Sequence, residues 1–179
     1  MKKLFLAFLS ITFLFSLVFS SRVSAQDGDT SGEEVVTQIS SFELFWPISA
    51  GKTLGDSTYF LKSFKENVRG WLIFGKAQKA EYSLQLATKR IVEAEKLIDL
   101  DKNDLATKSL DRGIKQLANM TKNLGLAAEG DMSQEVVDQT NDRLDNLEIF
   151  LPWLSEKNPD IKEKLQEVNS KIQKINQNI

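Results

Sequence analysis

Three short patterns in this sequence carry residue types at spacings that could do chemistry. Gly51-Lys52-Thr53 has the ending of a phosphate-binding loop, in which backbone amides cradle phosphates and the lysine reaches them. Such a loop needs a glycine five residues before the one preceding the lysine, so that the backbone can turn its amides to the ligand. Trp46 stands there, and no buried strand leads into it. Ser49-Ala50-Gly51-Lys52 has the Ser-x-x-Lys spacing of penicillin-binding enzymes. Those enzymes also need a Ser-x-Asn, which the chain lacks, and a Lys-Thr-Gly, whereas Lys52-Thr53 continues to Leu54. Both patterns reduce to a turn before a helix.

The third pattern is acidic. Asp27, Asp29 and Ser31 with Gly32 resemble the start of a calcium loop, as do Asp99, Asp101 and Asn103. The first run ends on Gln38 where a bidentate glutamate should stand; the second has Asp104 in place of glycine and Leu110 at the last ligand position. They read as a solvated spacer and a polar interhelix turn, so no metal site is assigned. Asn119-Met120-Thr121 matches a glycosylation acceptor, but it falls inside a helical pattern.

What is missing narrows the chemistry further. The sequence has no histidine and no cysteine. That removes the usual general base near neutral pH, the common zinc and haem ligands, thiol nucleophiles and disulfides. Carboxylates are plentiful, but no acid–base pair can be singled out without a cleft that separates their pKa values. The chain reads as a non-enzyme with no cofactor.

Lys2 and Lys3, an apolar run from Leu4 to Phe19 and Val23-Ser24-Ala25 read as an export signal over residues 1–25, cleaved before Gln26. An uncleaved N-terminal anchor is the alternative, although the run is shorter than the roughly 20 residues that span a bilayer comfortably. The chain has 23 basic and 25 acidic residues, −2 overall. Loss of Lys2, Lys3 and Arg22 with the signal makes the remainder more acidic, which disfavours nucleic acid as a partner. The expected location is extracytoplasmic, with no stable membrane span once the signal is gone.

The elements that must position any site are helices. Residues 26–41, opening "QDGDTSGEE", form an acidic spacer with too few apolar groups to offset the entropy of ordering it. From residue 42 to 179 the pattern is one helical domain. Asp56 and Ser57 are candidate caps for a helix from Thr58, with Phe60, Leu61, Phe64, Val68, Trp71 and Leu72 on one wide apolar face expected to join the core. Gly75 ends it. Ala77, Ala80, Leu84, Ala87, Ile91, Ala94 and Ile98 then mark a helix from Lys76 to Leu100 with a narrow, alanine-rich seam.

Asn103 is a candidate cap for a third helix carrying Ala106, Leu110, Ile114, Leu117 and Leu124 to Gly125, and Gly113 invites a close neighbour. Ser133 caps a fourth, with Val137, Thr140, Leu144, Leu147 and Leu151, predicted to stop at Pro152. Asn158-Pro159 opens a fifth with Ile161, Leu165, Val168, Ile172, Ile175 and Ile179. The fold class is all-α, an antiparallel up-and-down bundle of about five helices. Its last helix is a candidate surface for self-association.

Gly55 to Leu97 resembles an uncharacterised family of bacterial exported or membrane-anchored helical domains, classed as a domain of unknown function. The residues that carry the likeness are the lead-in from Pro47 to Gly55, Tyr59 with Leu61 and Lys62, Lys79-Ala80-Glu81, and Arg90 with Glu93 and Ala94. Ala50 to Thr53 departs from the second proline usual in that lead-in. The resemblance implies an extracytoplasmic helical module, sometimes carried on the outer side of anti-sigma-like membrane proteins, with no established activity. On that basis Tyr59, Lys79, Glu81, Arg90 and Glu93 are expected to form a structural polar network between the first two long helices.

Phe42, Phe45 and Trp46 are the candidate docking edge, if part of that aromatic segment stays exposed. The function read from the sequence is an exported scaffold or protein-binding module of the bacterial envelope, with an envelope protein as partner. A helical binder of a small apolar ligand or divalent ion is the alternative.

Overall fold

The computed structural model describes residues 39–128 and 132–178. The export signal, the spacer as far as residue 38, the calcium-like run from Asp27 to Gln38, and Ile179 lie outside them. Among the described residues the regular structure is helical throughout: α1 (Ser41–Leu44), α2 (Tyr59–Leu72), α3 (Lys76–Ile98), α4 (Asn103–Leu124), α5 (Gln134–Lys157), a 3-10 turn (Pro159–Ile161) and α6 (Lys162–Asn176). Together they form a helical bundle.

The bundle is built from two helical hairpins. α3 and α4 run antiparallel, joined by a tight turn at Asp99–Lys102, and Ser109 on α4 reaches the carbonyl of Arg90 on α3 at 2.9 Å. The alanine seam makes this closeness possible, because Ala77, Ala80, Ala87 and Ala94 are fully buried with Leu84 and Ile91 between them. α5 and α6 form the second hairpin, with Asn176 donating to both Asp145 and Glu148 at 2.9 Å. α6 also lies along α4 in the parallel sense: Asn103 meets Asp160, and Asp111 meets Lys164 at 2.6 Å. The apolar stripe of α6, Leu165, Val168 and Ile172, is therefore consumed inside the bundle.

Several sequence-based expectations change here. α5 does not stop at Pro152 but continues to Lys157. Proline removes one N–H from the helix ladder, a loss that burial of Leu151, Leu154 and Ser155 on the same segment offsets. Asn158 does not cap the last helix; it donates to the carbonyl of Leu154 and closes α5 at its C-terminus, while Pro159 opens the 3-10 turn. Asn103 is the first residue of α4 rather than its cap, and Ser133 caps α5 as expected through the amide of Val136. Ile39, assigned to the spacer by composition, packs against the core.

The largest departure concerns α2. Phe60, Leu61, Phe64, Val68, Trp71 and Leu72, expected in the core, are all exposed, and the core holds none of them. The helix exists as predicted, but it is docked with its polar side inward.

Candidate functional site

The residues that dock α2 are charged. Arg90 on α3 bridges two carboxylates, donating through Nη1 to Glu93 and through Nη2 to Glu66 of α2. Lys62 of α2 donates to the same oxygen of Glu93 as Arg90 does, Oε1, and the Glu93 side chain is 0% exposed. Lys89 stands 2.7 Å from Glu66. Tyr59 completes the group, its hydroxyl 3.2 Å from Glu93 Oε2 and receiving a hydrogen bond from Arg112 of α4 at 3.1 Å. The guanidinium of Arg112 also lies over the Tyr59 ring.

Burial and pairing compete at each of these groups. Burial pushes the Glu66 carboxyl up, but Lys89 and Arg90 outweigh it and hold it below its ordinary value. Burial lowers the Lys62 ammonium, with the Glu93 carboxylate acting in the opposite direction. Burial first, and then the charge of Glu93, raise the Tyr59 phenol, which stays protonated. Glu66 and Glu93 are both ion-pair partners of Arg90.

The loop before α2 is fastened by the same lysine. Lys62 donates to the carbonyls of Ala50 and Lys52, each at 2.6 Å, and Lys96 donates to the carbonyl of Gly51 at 2.9 Å. The Gly-Lys-Thr stretch thus presents carbonyl oxygens to cations, the reverse of a loop that presents amides to phosphate. Gly51 has φ +57°, a conformation that glycine adopts without steric cost. Asp56 does not cap α2; its carboxylate accepts from the Thr53 amide at 2.6 Å. At the other end, Gly70 lets α2 approach Tyr82, whose ring would lie 3.2 Å from a β-carbon there. The Tyr82 hydroxyl donates to the carbonyl of Glu66.

The structure brings Tyr59, Arg90 and Glu93 together as expected, and leaves Lys79 and Glu81 out. The charge of Glu81 acts on Arg143 of α5 without a close ion pair, and Lys79 enters the bonding through its backbone, its amide to Gly75 and its carbonyl to Ser83. Sequence reasoning missed Glu66 and Arg112 and gave Lys62 no role in the network. The signal was present: Tyr59, Lys62 and Glu66 lie at i, i+3 and i+7, on the side of α2 opposite its apolar arc. Arg90 with Glu93, and Ser109 with Arg112, are i, i+3 pairs on the two facing helices.

Because its polar side is pinned, α2 shows its apolar side to solvent. At 100° per residue, its six apolar positions span an arc of roughly 120°. Trp71 is 79% exposed, and Phe74 just beyond the helix is 86% exposed. The lead-in segment divides. Phe45 is buried against Phe150, edge to face at 5.4 Å, and belongs to the core. Phe42 and Trp46 are exposed and pack on each other at 4.9 Å. Asn146 holds this segment to α5 by donating to the Leu44 carbonyl. Around the second calcium-like run, Asp101 has a positive φ in the interhelix turn, and among the described residues no cluster of three or more carboxylates is placed to hold a metal ion.

Fold and surface define a helical bundle with an inverted amphipathic helix on its side. The chain belongs to the family described as Domain of unknown function (DUF5667), whose profile matches residues 51–147, more than half of the chain. That range runs from the Gly51 loop through α2, α3 and α4 into α5, and so contains every residue of the ion network. No curated protein and no solved structure matches the chain.

Two outcomes follow from the network. Glu93→Gln should destabilise the fold by about 3–5 kcal/mol, because Arg90 loses one of its two carboxylate partners and Lys62 loses its carboxylate partner while both stay largely buried; urea unfolding checks this. Glu66 has a depressed folded-state pKa, so its stabilisation is present above the ordinary value of 4.5 and is lost as pH falls through the folded value. Melting temperatures followed from about pH 7 to about pH 3 should fall below pH 4.5, and Glu66→Gln, less stable at neutral pH, should show a shallower fall.

Proposed function

We propose that this chain is an exported docking module of the bacterial cell envelope, a rigid helical scaffold that holds one aromatic helix face toward a partner surface. The observation that carries this reading is the outward face of α2. Burying one such side chain contributes about 1.5–3 kcal/mol, and six of them forgo that gain in the isolated chain. Continuous apolar surface of this kind marks interaction sites in folded proteins. The ion network supports the same reading, since it fixes the face without using any of its residues. The signal-like N-terminal pattern supports export, and among the described residues no helix is long and apolar enough to cross a membrane.

The ligand-binding alternative draws less support. An apolar ligand would need room along the α3 seam, which is filled by its own alanines and by α4. Of the lead-in aromatics only Phe42 and Trp46 remain available, and α2 supplies the larger surface.

A photoreactive phenylalanine analogue at position 71, and separately at position 149 on α5 as an exposed control, tests the module in producing cells. Position 71 should give covalent adducts that position 149 does not. Adduct formation at neither position, or equally at both, would overturn the docking reading.

A further inference from the structure

We infer that the α2 face is a membrane-interface site whose occupant is an anionic phospholipid bilayer, with α2 lying in the plane of the surface. This rests on the docking reading above and names its partner. The α2 helix has 14 residues and so is about 21 Å long. It cannot span a hydrocarbon layer of about 30 Å. Its make-up suits the boundary of that layer: phenylalanine, leucine and tryptophan on the outer arc and lysine and arginine beside them.

Charge selects the occupant. From Thr58 to Lys79 the basic residues are Lys62, Lys65, Arg69, Lys76 and Lys79, against Glu66 as the single acid, in a chain that is −2 overall. Lys62 and Glu66 both turn inward, onto Glu93 and onto Arg90 and Lys89, and Glu66 lies in the floor of both flanking grooves, so the charges that α2 itself holds outward are Lys65 and Arg69. On one flank, Lys65 and Arg69 line a groove with Lys89; on the other, Arg112 and Lys115 of α4 line a groove with Asn67. An apolar ridge between two cationic borders is complementary to acyl chains beneath a plane of anionic headgroups.

The same charges argue against a second copy of the chain. A twofold pairing through this face would set one copy's basic borders beside the other's. The ridge also projects outward, with Trp71 and Phe74 largely free of the bundle. A bilayer deforms around such side chains, whereas a protein partner would need a preformed groove for them.

The test uses the full chain with Trp71 as its sole tryptophan, made by Trp46→Phe and Trp153→Phe. It is mixed with vesicles of brominated phosphatidylcholine, with or without phosphatidylglycerol. Trp71 emission should be quenched on the anionic vesicles, remain unquenched on the neutral ones, and recover as salt is added. Lys65→Gln with Arg69→Gln, both at exposed positions, should weaken the partition roughly thirtyfold at unchanged helicity. Equal quenching on both vesicle types would overturn the anionic selectivity. Absence of quenching on either would overturn the membrane site. If position 71 still gives adducts in cells in that case, or the chain sediments as a dimer that Trp71→Ser dissolves, docking stands with a protein or a second copy as occupant. If neither is seen, both readings fall.

Discussion

Arg90 sits between Glu66 and Glu93, and the orientation of α2 depends on that contact. An amphipathic helix beside an apolar core would ordinarily turn its apolar arc inward. Here α3 presents Arg90 and Glu93 where α2 docks, and Glu93 is fully buried. Rotating α2 by half a turn would bury its aromatics, but it would take Lys62 and Glu66 away from their partners. An ion left buried without its partner costs several kcal/mol, while an intact pair roughly breaks even against apolar packing. The network therefore works more as a device for orientation than as a source of net stability. It holds the loop as well, since Lys62 joins Glu93 to the carbonyls of Ala50 and Lys52.

The rest of the bundle supplies the stiffness against which that orientation is fixed. The alanine seam of α3 draws α4 close enough for Ser109 and Arg112 to reach the network from the far side. The second hairpin covers the remaining apolar surface of α4 through Leu165, Val168 and Ile172. The largest group of exposed apolar side chains is the outer arc of α2 with Phe74, beside the pair Phe42 and Trp46; Leu100, Leu126 and Ile149 are exposed singly elsewhere. The residues that hold the fold are thus distinct from the exposed apolar residues of α2.

Much of this was legible in the sequence. Three- and four-residue spacing located the four long helices of the hairpins, and the seven seam positions of α3 are buried as the spacing required. The orientation of α2 was not legible from its own residues, because hydrophobic periodicity identifies an apolar face without saying what covers it. The answer lay in its polar stripe, Tyr59, Lys62 and Glu66, read together with Arg90 and Glu93 some thirty residues away. Pro152 misled for a related reason: tertiary burial of Leu151 and Leu154 overrides a local helix breaker. Lys79 and Glu81 were grouped with the network by resemblance, but they lie toward the N-terminal end of α3, two or more turns before Arg90 and Glu93.

The measurement that bears most directly on the inverted helix is acrylamide quenching of Trp71 in the sole-tryptophan chain, in water and without vesicles. With the polar side of α2 pinned on Arg90 and Glu93, Trp71 should be quenched nearly as efficiently as free tryptophan, with emission typical of a hydrated indole. Blue-shifted emission with strong protection in a monomeric chain would mean that α2 packs its apolar arc against its own core, and would contradict the arrangement from which the docking face follows.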